Sequence, residues 1–387
     1  MKYSIKADST KKAYMQLYEQ IRTDIINSVY KYGDKLPSKR ILAEETLTSV
    51  ITVEHAYGIL CDEGYIESKE RSGYFVTYQK NAFVPIAENE ISDISPVQHN
   101  YNTEQFPFSV MAKTMRNVIS KYGENILIKS PNTGCVELKK AISDYLARGK
   151  GINVSYNQIV IGSGAEYLYG LIVQFLGRDK IYALEDPSYE KIHSVYRANG
   201  AECDLLKLGK YGILTSQLLK TKASVLHITP FRSFPSGITA SASKRNEYIK
   251  WAKDRNGIII EDDFNSEFTV STKNYDTVFS FEPTKSVIYV NTFTKTIAHS
   301  MRIGYMVLPE KLVGEFFDKM GFYSCTVPVF EQYVLAEFIS NGDFERHINR
   351  TRRKLRQMQK GAVAKCTDHT RQRNMTTEPF SYVKKVK

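Results

Sequence analysis

Lys295 lies in the stretch VNTFTKT, and a lysine amine is the side chain that condenses with an aldehyde to form a Schiff base. Asp262 closes the apolar run GIIIED, where a carboxylate can keep a pyridinium nitrogen protonated and make its ring an electron sink. Ser163, Gly164 and Ala165 follow QIVIG and open a helical stretch, so their N–H groups are placed to cradle a phosphate. Tyr189, after EDPS, offers a ring to stack on a ring, while Thr292, Thr294 and Arg302 can complete a phosphate site. This is a set suited to pyridoxal phosphate. Taken singly, each residue has a structural reading as a surface lysine, a loop cap or a turn. Their shared position after strand-like runs argues for a site.

The elements that must position these residues are legible from about residue 100 onward. Apolar runs QIVIGSG, KIYALEDP, ASVLHITP, GIIIEDD and SVIYVNTF alternate with helical stretches. Such alternation predicts βαβ units in a mostly parallel sheet with helices on both faces, an α/β domain whose ligands collect at strand C-terminal ends. Asp263 is an adjacent alternative to Asp262, because side-chain alternation lets only one of the two face a bound ring.

Residues 1–78 read differently. Tyr14, Leu17, Ile21 and Ile25 form an i, i+3, i+7, i+11 stripe, a helix that ends at KYGDKLP. Ser38 is a suitable N-cap for a second helix, and Val53, Ala56, Tyr57 and Leu60 mark a third after a break at Thr46 to Thr48. Two short helices with a tight connection, followed by the runs YIES and YFVTY around a Gly73-containing turn, read as an α+β winged helix-turn-helix; on periodicity alone, a small helical domain with a hairpin that binds protein fits equally well. A third helix beginning near Thr48 would present Ser49, Val50 and Thr52 to base edges in the major groove. Ser38 and Arg40 would serve phosphate, and Arg71 on the wing the minor groove. Residues 79–99 lack periodicity, carry two prolines and read as a linker.

The net charge of +11 does not by itself argue for nucleic acid. From Arg346 to Lys387 there are 13 Lys+Arg against 2 Asp+Glu, and the remaining 345 residues hold 40 of each sign. A basic tail can bind polyanions, or simply be a solvated helix face and a loose end. No apolar run approaches the length of a membrane span, and the N-terminus has no apolar secretory segment. The five cysteines are scattered, with no CxxC pair and no histidine cluster, which suits reduced thiols in a cytoplasmic protein without a metal site.

The runs LYEQIRTDIINSVYKYGDKLPSKRILAEE and TVEHAYGILCDEGYIESKERSGYFV together resemble the GntR-family winged helix-turn-helix, which implies binding to a double-stranded DNA operator. The family's arginine after the serine is Val50 here, so operator preference is expected to differ from the family norm. Residues 100–360 resemble fold type I, class I aminotransferases, and in particular the MocR subgroup, in which a GntR-type reader is joined to such a domain. The motifs are PNTGCVELKKAISDYL, EDPSY, TPFRSFPSG, IIEDDFNSEF and NTFTKTIAHSMRIGYMVLP. By resemblance Lys295 is the cofactor lysine, Asp262 the pyridine-nitrogen partner and Tyr189 the stacking aromatic. Ser163 to Ala165, Thr292, Thr294 and Arg302 then hold phosphate, and a homodimer is implied.

Departures from that pattern are Phe264 for a tyrosine, Arg232 and Ser233 for a His-Gln pair, and Glu166 for a glutamine. Residues 361–387 resemble nothing in the family and form a basic tail, for which truncation or a frame shift is an explanation. The family's carboxylate-gripping arginine is assigned to no residue here. The expected function is a transcription regulator whose aminotransferase-like domain senses an amine or amino acid. The alternatives are a working aminotransferase with an accessory DNA module, and a DNA-binding remnant with a non-functional cofactor domain.

Overall fold

The protein is described by a computed structural model covering residues 3–5, 11–69, 72–78, 106–264, 266–268, 276–281, 286–298 and 300–357. The expected linker at 79–99, Arg71 and the tail at 361–387 lie outside the described residues.

Near the N-terminus, α1 (Ala13–Ile26) buries Leu17, Tyr18, Ile21 and Ile25 on one stripe. It packs with α2 (Lys39–Glu45) and α3 (Val50–Asp62), whose Leu42, Val53, Ala56 and Leu60 are almost wholly removed from water. Each such leucine or valine side chain contributes about 1.5–3 kcal/mol. The third helix starts at Val50, after the expected break at Thr46 to Thr48. Thr48 N–H still donates to Ala43 O of the second helix at 3.0 Å, and Leu47 turns through a left-handed φ of 52°. Ser49 is therefore the extended N-cap, its Oγ accepting from Thr52 N–H at 3.1 Å. Strands β1 (Ile66–Lys69) and β2 (Gly73–Val76) pair antiparallel, with Ile66 opposite Val76, and form the wing.

In the larger domain, strands β3 (Ile159–Gly162), β4 (Ile181–Asp186), β5 (Glu202–Gly209), β6 (Gly212–Ile213), β7 (Val225–Ile228), β8 (Ile258–Asp262), β9 (Val287–Thr292) and β10 (Gly304–Val307) form one sheet. Its order is β3-β10-β9-β8-β7-β4-β5-β6. The five strands β9, β8, β7, β4 and β5 run parallel. Strand β10 is antiparallel to both neighbours, which leaves β3 pointing the same way as β9. All five runs anticipated from sequence are strands that end on one edge. Strands β5, β6 and β10 were not among them.

Helices cover both faces. On one side α4 (Phe108–Tyr122), α5 (Val136–Lys150) and α12 (Val329–Ser340) share a core with α9 (Ala242–Arg255), α8 (Thr215–Lys220) and α10 (Val278–Phe281). On the other lie α6 (Ala165–Leu176), α7 (Glu190–Ala198) and α11 (Glu310–Met320). A last helix, α13, covers 343–357. No helix among the described residues is long and apolar enough to cross a membrane.

The winged domain rests on the first turn of α9. Ala242 N–H donates to Glu63 O at 3.2 Å, and Arg22 pairs with Asp276 at 2.8 Å.

Candidate cofactor site and nucleic-acid interface

The sheet's pairing brings the anticipated phosphate-binding residues together. Gly304 of β10 stands opposite Gly162 on one side and Thr292 on the other. Its neighbours explain the glycine, because a Cβ there would lie 3.1 Å from Asn291 O and from the Gly164 backbone. The turn after β3 thus lies one strand away from the end of β9. Gly164, with φ at 92°, takes the left-handed conformation that leads into α6. Its N–H turns back to Gly162 O at 2.8 Å, so its contribution is the sharp turn and the missing Cβ. The first-turn N–H groups of α6 at Ala165 and Glu166 point out of the helix start, where anions are favoured.

Arg302 lies over this turn, its guanidinium 3.7 Å from where a Gly164 Cβ would be. Thr292 and Thr294 share a hydroxyl–hydroxyl bond of 2.9 Å, and Thr294 Oγ1 also donates to Met301 O at 3.3 Å. Glu166 brings a carboxylate to the same place. It is compensated by Arg302 at 3.4 Å and Lys191 at 3.3 Å.

Asp262 is buried at the end of β8. Tyr169, on α6, donates its hydroxyl to Asp262 Oδ2 at 2.5 Å, and His227 Nε2 stands 3.8 Å from the same oxygen. His227 Nδ1 in turn bonds the Tyr196 hydroxyl at 2.7 Å. Burial and then the Asp262 charge hold the Tyr169 phenol well above its ordinary range, so it stays a donor. Asp262 Oδ1 has no hydrogen-bond partner among the described residues. Asp263 faces the other way: it accepts from Lys150 Nζ at 2.5 Å and from the Tyr289 hydroxyl at 2.7 Å. The alternation expected along the strand is therefore realised, with the two carboxylates on opposite faces.

Lys295 follows β9 in a short turn. Burial lowers its amine to about 8; Asp262 pulls it upward and Arg232 pushes it down. Its Nζ lies 3.7 Å from the centre of the Phe264 ring, the residue that replaces the family's tyrosine. Tyr189 is the N-cap of α7, 38% exposed, and meets Phe234 edge-to-face at 6.0 Å. Lys295, Asp262, Thr292 and the Ser163–Ala165 turn thus all stand at the strand-end edge of one sheet. Tyr169 and His227 were not anticipated. The usable signals were the position of His227 inside the apolar run ASVLHITP and the spacing of Tyr169 one helical turn beyond Ala165.

The residues fit a phosphorylated pyridine aldehyde on this structure's own geometry. A buried carboxylate oxygen lacks a donor, a lysine amine is held partly neutral, and a glycine turn opens a helix beneath an arginine.

In the winged domain, Ser38 caps α2 by accepting from Ile41 N–H at 3.3 Å, and Arg40 is exposed in its first turn. Ser49 and Val50 are exposed at the start of α3, with Thr52 half-buried behind them and its hydroxyl 2.9 Å from Ser49 Oγ. Ser38 and Ser49 each spend a side-chain oxygen on their own helix. Gly73 opens β2 with φ at 111°, close against Lys35, and places that lysine beside the wing.

The fold and these strand-end residues define an aminotransferase-like domain carrying a winged helix-turn-helix. A family model described as aminotransferase class I and II matches residues 98–381, and one described as bacterial regulatory proteins, gntR family, matches residues 13–76. The uncharacterized HTH-type transcriptional regulator YdeL of Bacillus subtilis (strain 168) is 31% identical over 357 residues, covering 89% of this chain and 76% of the relative. The probable rhizopine catabolism regulatory protein MocR of Rhizobium meliloti is 26% identical over 382 residues, 92% of this chain and 77% of its own. Among solved structures, the kynurenine aminotransferase of Pyrococcus horikoshii superposes with a TM-score of 0.61 at 25% identity, over 67% of each chain. The chain belongs to the MocR-type family of helix-turn-helix transcription regulators, in which a GntR-type reader is joined to an aminotransferase class I and II domain.

Proposed function

We propose that this regulator binds pyridoxal phosphate at Lys295, takes up an amine or amino acid there, and changes its hold on a double-stranded operator accordingly. The observation that carries the reading is the half-buried Lys295, its amine lowered to about 8 by burial, at the same strand-end edge as a buried Asp262 whose second oxygen has no donor among the described residues. When bound, the cofactor supplies an aldehyde that captures amines and a ring that withdraws electrons.

The chain's own residues divide the work. Lys295 would provide the covalent anchor and a base. Asp262 holds a proton at the ring nitrogen, and Tyr169 orients that carboxylate. Ser163 and Ala165 N–H groups with Thr292, Thr294 and Arg302 hold the phosphate, over the turn that Gly164 makes. Tyr189 covers the ring. Phe264 offers a ring face and no hydroxyl, so the cofactor's phenolic oxygen has one donor fewer than in the family pattern.

In the reader, Ser38 and Arg40 would meet phosphates, and Ser49, Val50 and Thr52 base edges, with Gly73 shaping the wing. Arg71, outside the described residues, belongs to the same proposal. Occupancy of the lysine site would shift the population between conformations of differing operator affinity. A cytoplasmic homodimer completes the reading.

The test is an absorbance spectrum of the purified protein with added pyridoxal phosphate. A yellow chromophore that borohydride fixes to residue 295 is expected, and none in Lys295→Ala. Operator affinity should respond to amines or amino acids in the wild type and not in that variant. A colourless wild type ends the sensing part of the reading.

A further inference from the structure

We propose that the start of α3 recognises its operator through the 5-methyl groups of thymines in the major groove, so that A·T pairs specify the positions it touches. The inference rests on the reading of this helix as the base-contacting element and names the base that it takes.

Leu47, Val50 and Ile51 are 80%, 41% and 65% exposed, three large apolar side chains within five residues at the entrance to the helix. Single exposed apolar residues are ordinary on a protein surface, whereas a group of them at a binding end marks a contact. The polar side chains around them are engaged within the domain. Ser49 Oγ accepts from Thr52 N–H at 3.1 Å and shares a hydroxyl–hydroxyl bond of 2.9 Å with the same residue. Glu54, one turn beyond Val50, pairs with Lys39 at 2.9 Å. His55, one turn beyond Ile51, meets the Tyr14 ring at right angles with centroids 5.7 Å apart. Helix α3, VITVEHAYGILCD, contains no lysine or arginine, so it has no guanidinium or ammonium to offer to guanine.

The basic groups of the domain lie on the elements before and after α3. Lys39 and Arg40 open α2, and Lys35 and Lys69 stand over the Phe75 ring of the wing, at 5.9 and 5.0 Å. Cations on the flanking elements suit phosphates, and apolar groups on the helix suit the floor of a groove. Of the four bases only thymine shows a methyl group in the major groove; the others present amines and ring or carbonyl acceptors. A valine or isoleucine laid on that methyl takes two apolar surfaces out of water. Laid on guanine, the same side chain would leave two acceptors without donors.

The experiment uses the full-length protein. Random-sequence duplexes are selected for binding, and the selected duplex is remade with each thymine replaced in turn by deoxyuridine, which lacks only the methyl group. Affinity is read by fluorescence anisotropy at one fixed salt concentration. At one or more thymines of the selected site the replacement should weaken binding about fourfold, the worth of one buried carbon. Val50→Ala or Ile51→Ala, both at exposed positions, should shrink that loss. A selected duplex indifferent to every methyl, or a loss undiminished in both alanine variants, overturns the proposal and leaves operator binding intact; the apolar end then belongs to a protein contact. Enrichment of no sequence removes the operator reading and this inference together.

Discussion

Asp262 and Asp263 are consecutive, both buried, and each has one oxygen without a hydrogen-bond partner among the described residues. They differ in counter-charge. Asp263 touches Lys150 at 2.5 Å, and Glu267 shares the same ammonium at 2.8 Å. Asn291 Nδ2 donates to Glu267 at 2.8 Å and to the Tyr289 hydroxyl at 3.0 Å, which closes the cluster. Around Asp262 the described residues place no lysine or arginine within 4 Å, and its nearest basic nitrogen is His227 at 3.8 Å. A buried carboxylate is costly unless a cation meets it. On one face of the sheet the protein supplies that cation; on the other no lysine or arginine of the described residues stands within ion-pair distance, the place our proposal gives to a ligand. The contrast separates a structural ion cluster from a binding site better than burial does.

The largest effect that would test this contrast is expected at Lys150. Lys150→Met keeps the apolar stem and strands two carboxylates, which costs about 3–5 kcal/mol, read from urea unfolding. Burial alone would push the wild-type amine down; the charges of Asp263 and Glu267 hold it above the ordinary lysine range. Asp263 is already raised by burial, against the pull of Lys150. In the variant that opposing pull is gone, so the folded state binds a proton that the unfolded chain releases at neutral pH. Stability should then fall as pH rises and recover on acidification. A variant as stable as wild type at every pH would show that the cluster is not what holds this face.

Next in size is Asp262→Asn. The side chain keeps its shape and a partner in Tyr169 but loses its charge, so the cofactor-free protein should unfold within about 1 kcal/mol of wild type. Pyridoxal phosphate affinity should fall about 10–100-fold, the worth of a charge-assisted hydrogen bond of about 1.5–3 kcal/mol, read from a fluorescence titration. Unchanged affinity would dissolve the distinction between the two aspartates.

Much of this was legible in the chain. Five strand runs, the placing of Lys295, Asp262 and Thr292 at their ends, and the stripe of α1 follow from apolar spacing alone. Other features were not legible, for identifiable reasons. Lys150 and Asp263 are 113 residues apart, and no local pattern joins them. Strand β10, GYMV, follows β9 with no helix between them and runs antiparallel to both neighbours, so it falls outside the alternation of strand and helix that marked the five runs. The bond from Thr48 N–H to Ala43 O that closes the preceding helix is invisible to a count of apolar positions. Arg232 stood out in sequence only as a departure from a family pattern; its left-handed backbone needed the fold.

The smallest effect is the most discriminating in sign. Tyr169 donates to the oxygen of Asp262 that His227 also faces. Tyr169→Phe removes that bond and should cost the cofactor-free protein about 1.5 kcal/mol, the low end for a bond to a charged group, because His227 remains beside the same oxygen. A hydrogen bond to the charged form of an acid makes it a weaker base. Without the tyrosine, the charge of Asp262 is shared with one donor fewer and meets a protonated ring nitrogen more strongly, so cofactor affinity should rise slightly. The melting temperatures of the free and loaded protein should therefore move apart in Tyr169→Phe and together in Asp262→Asn. Had Tyr169 served only as packing, both temperatures in the phenylalanine variant would shift alike.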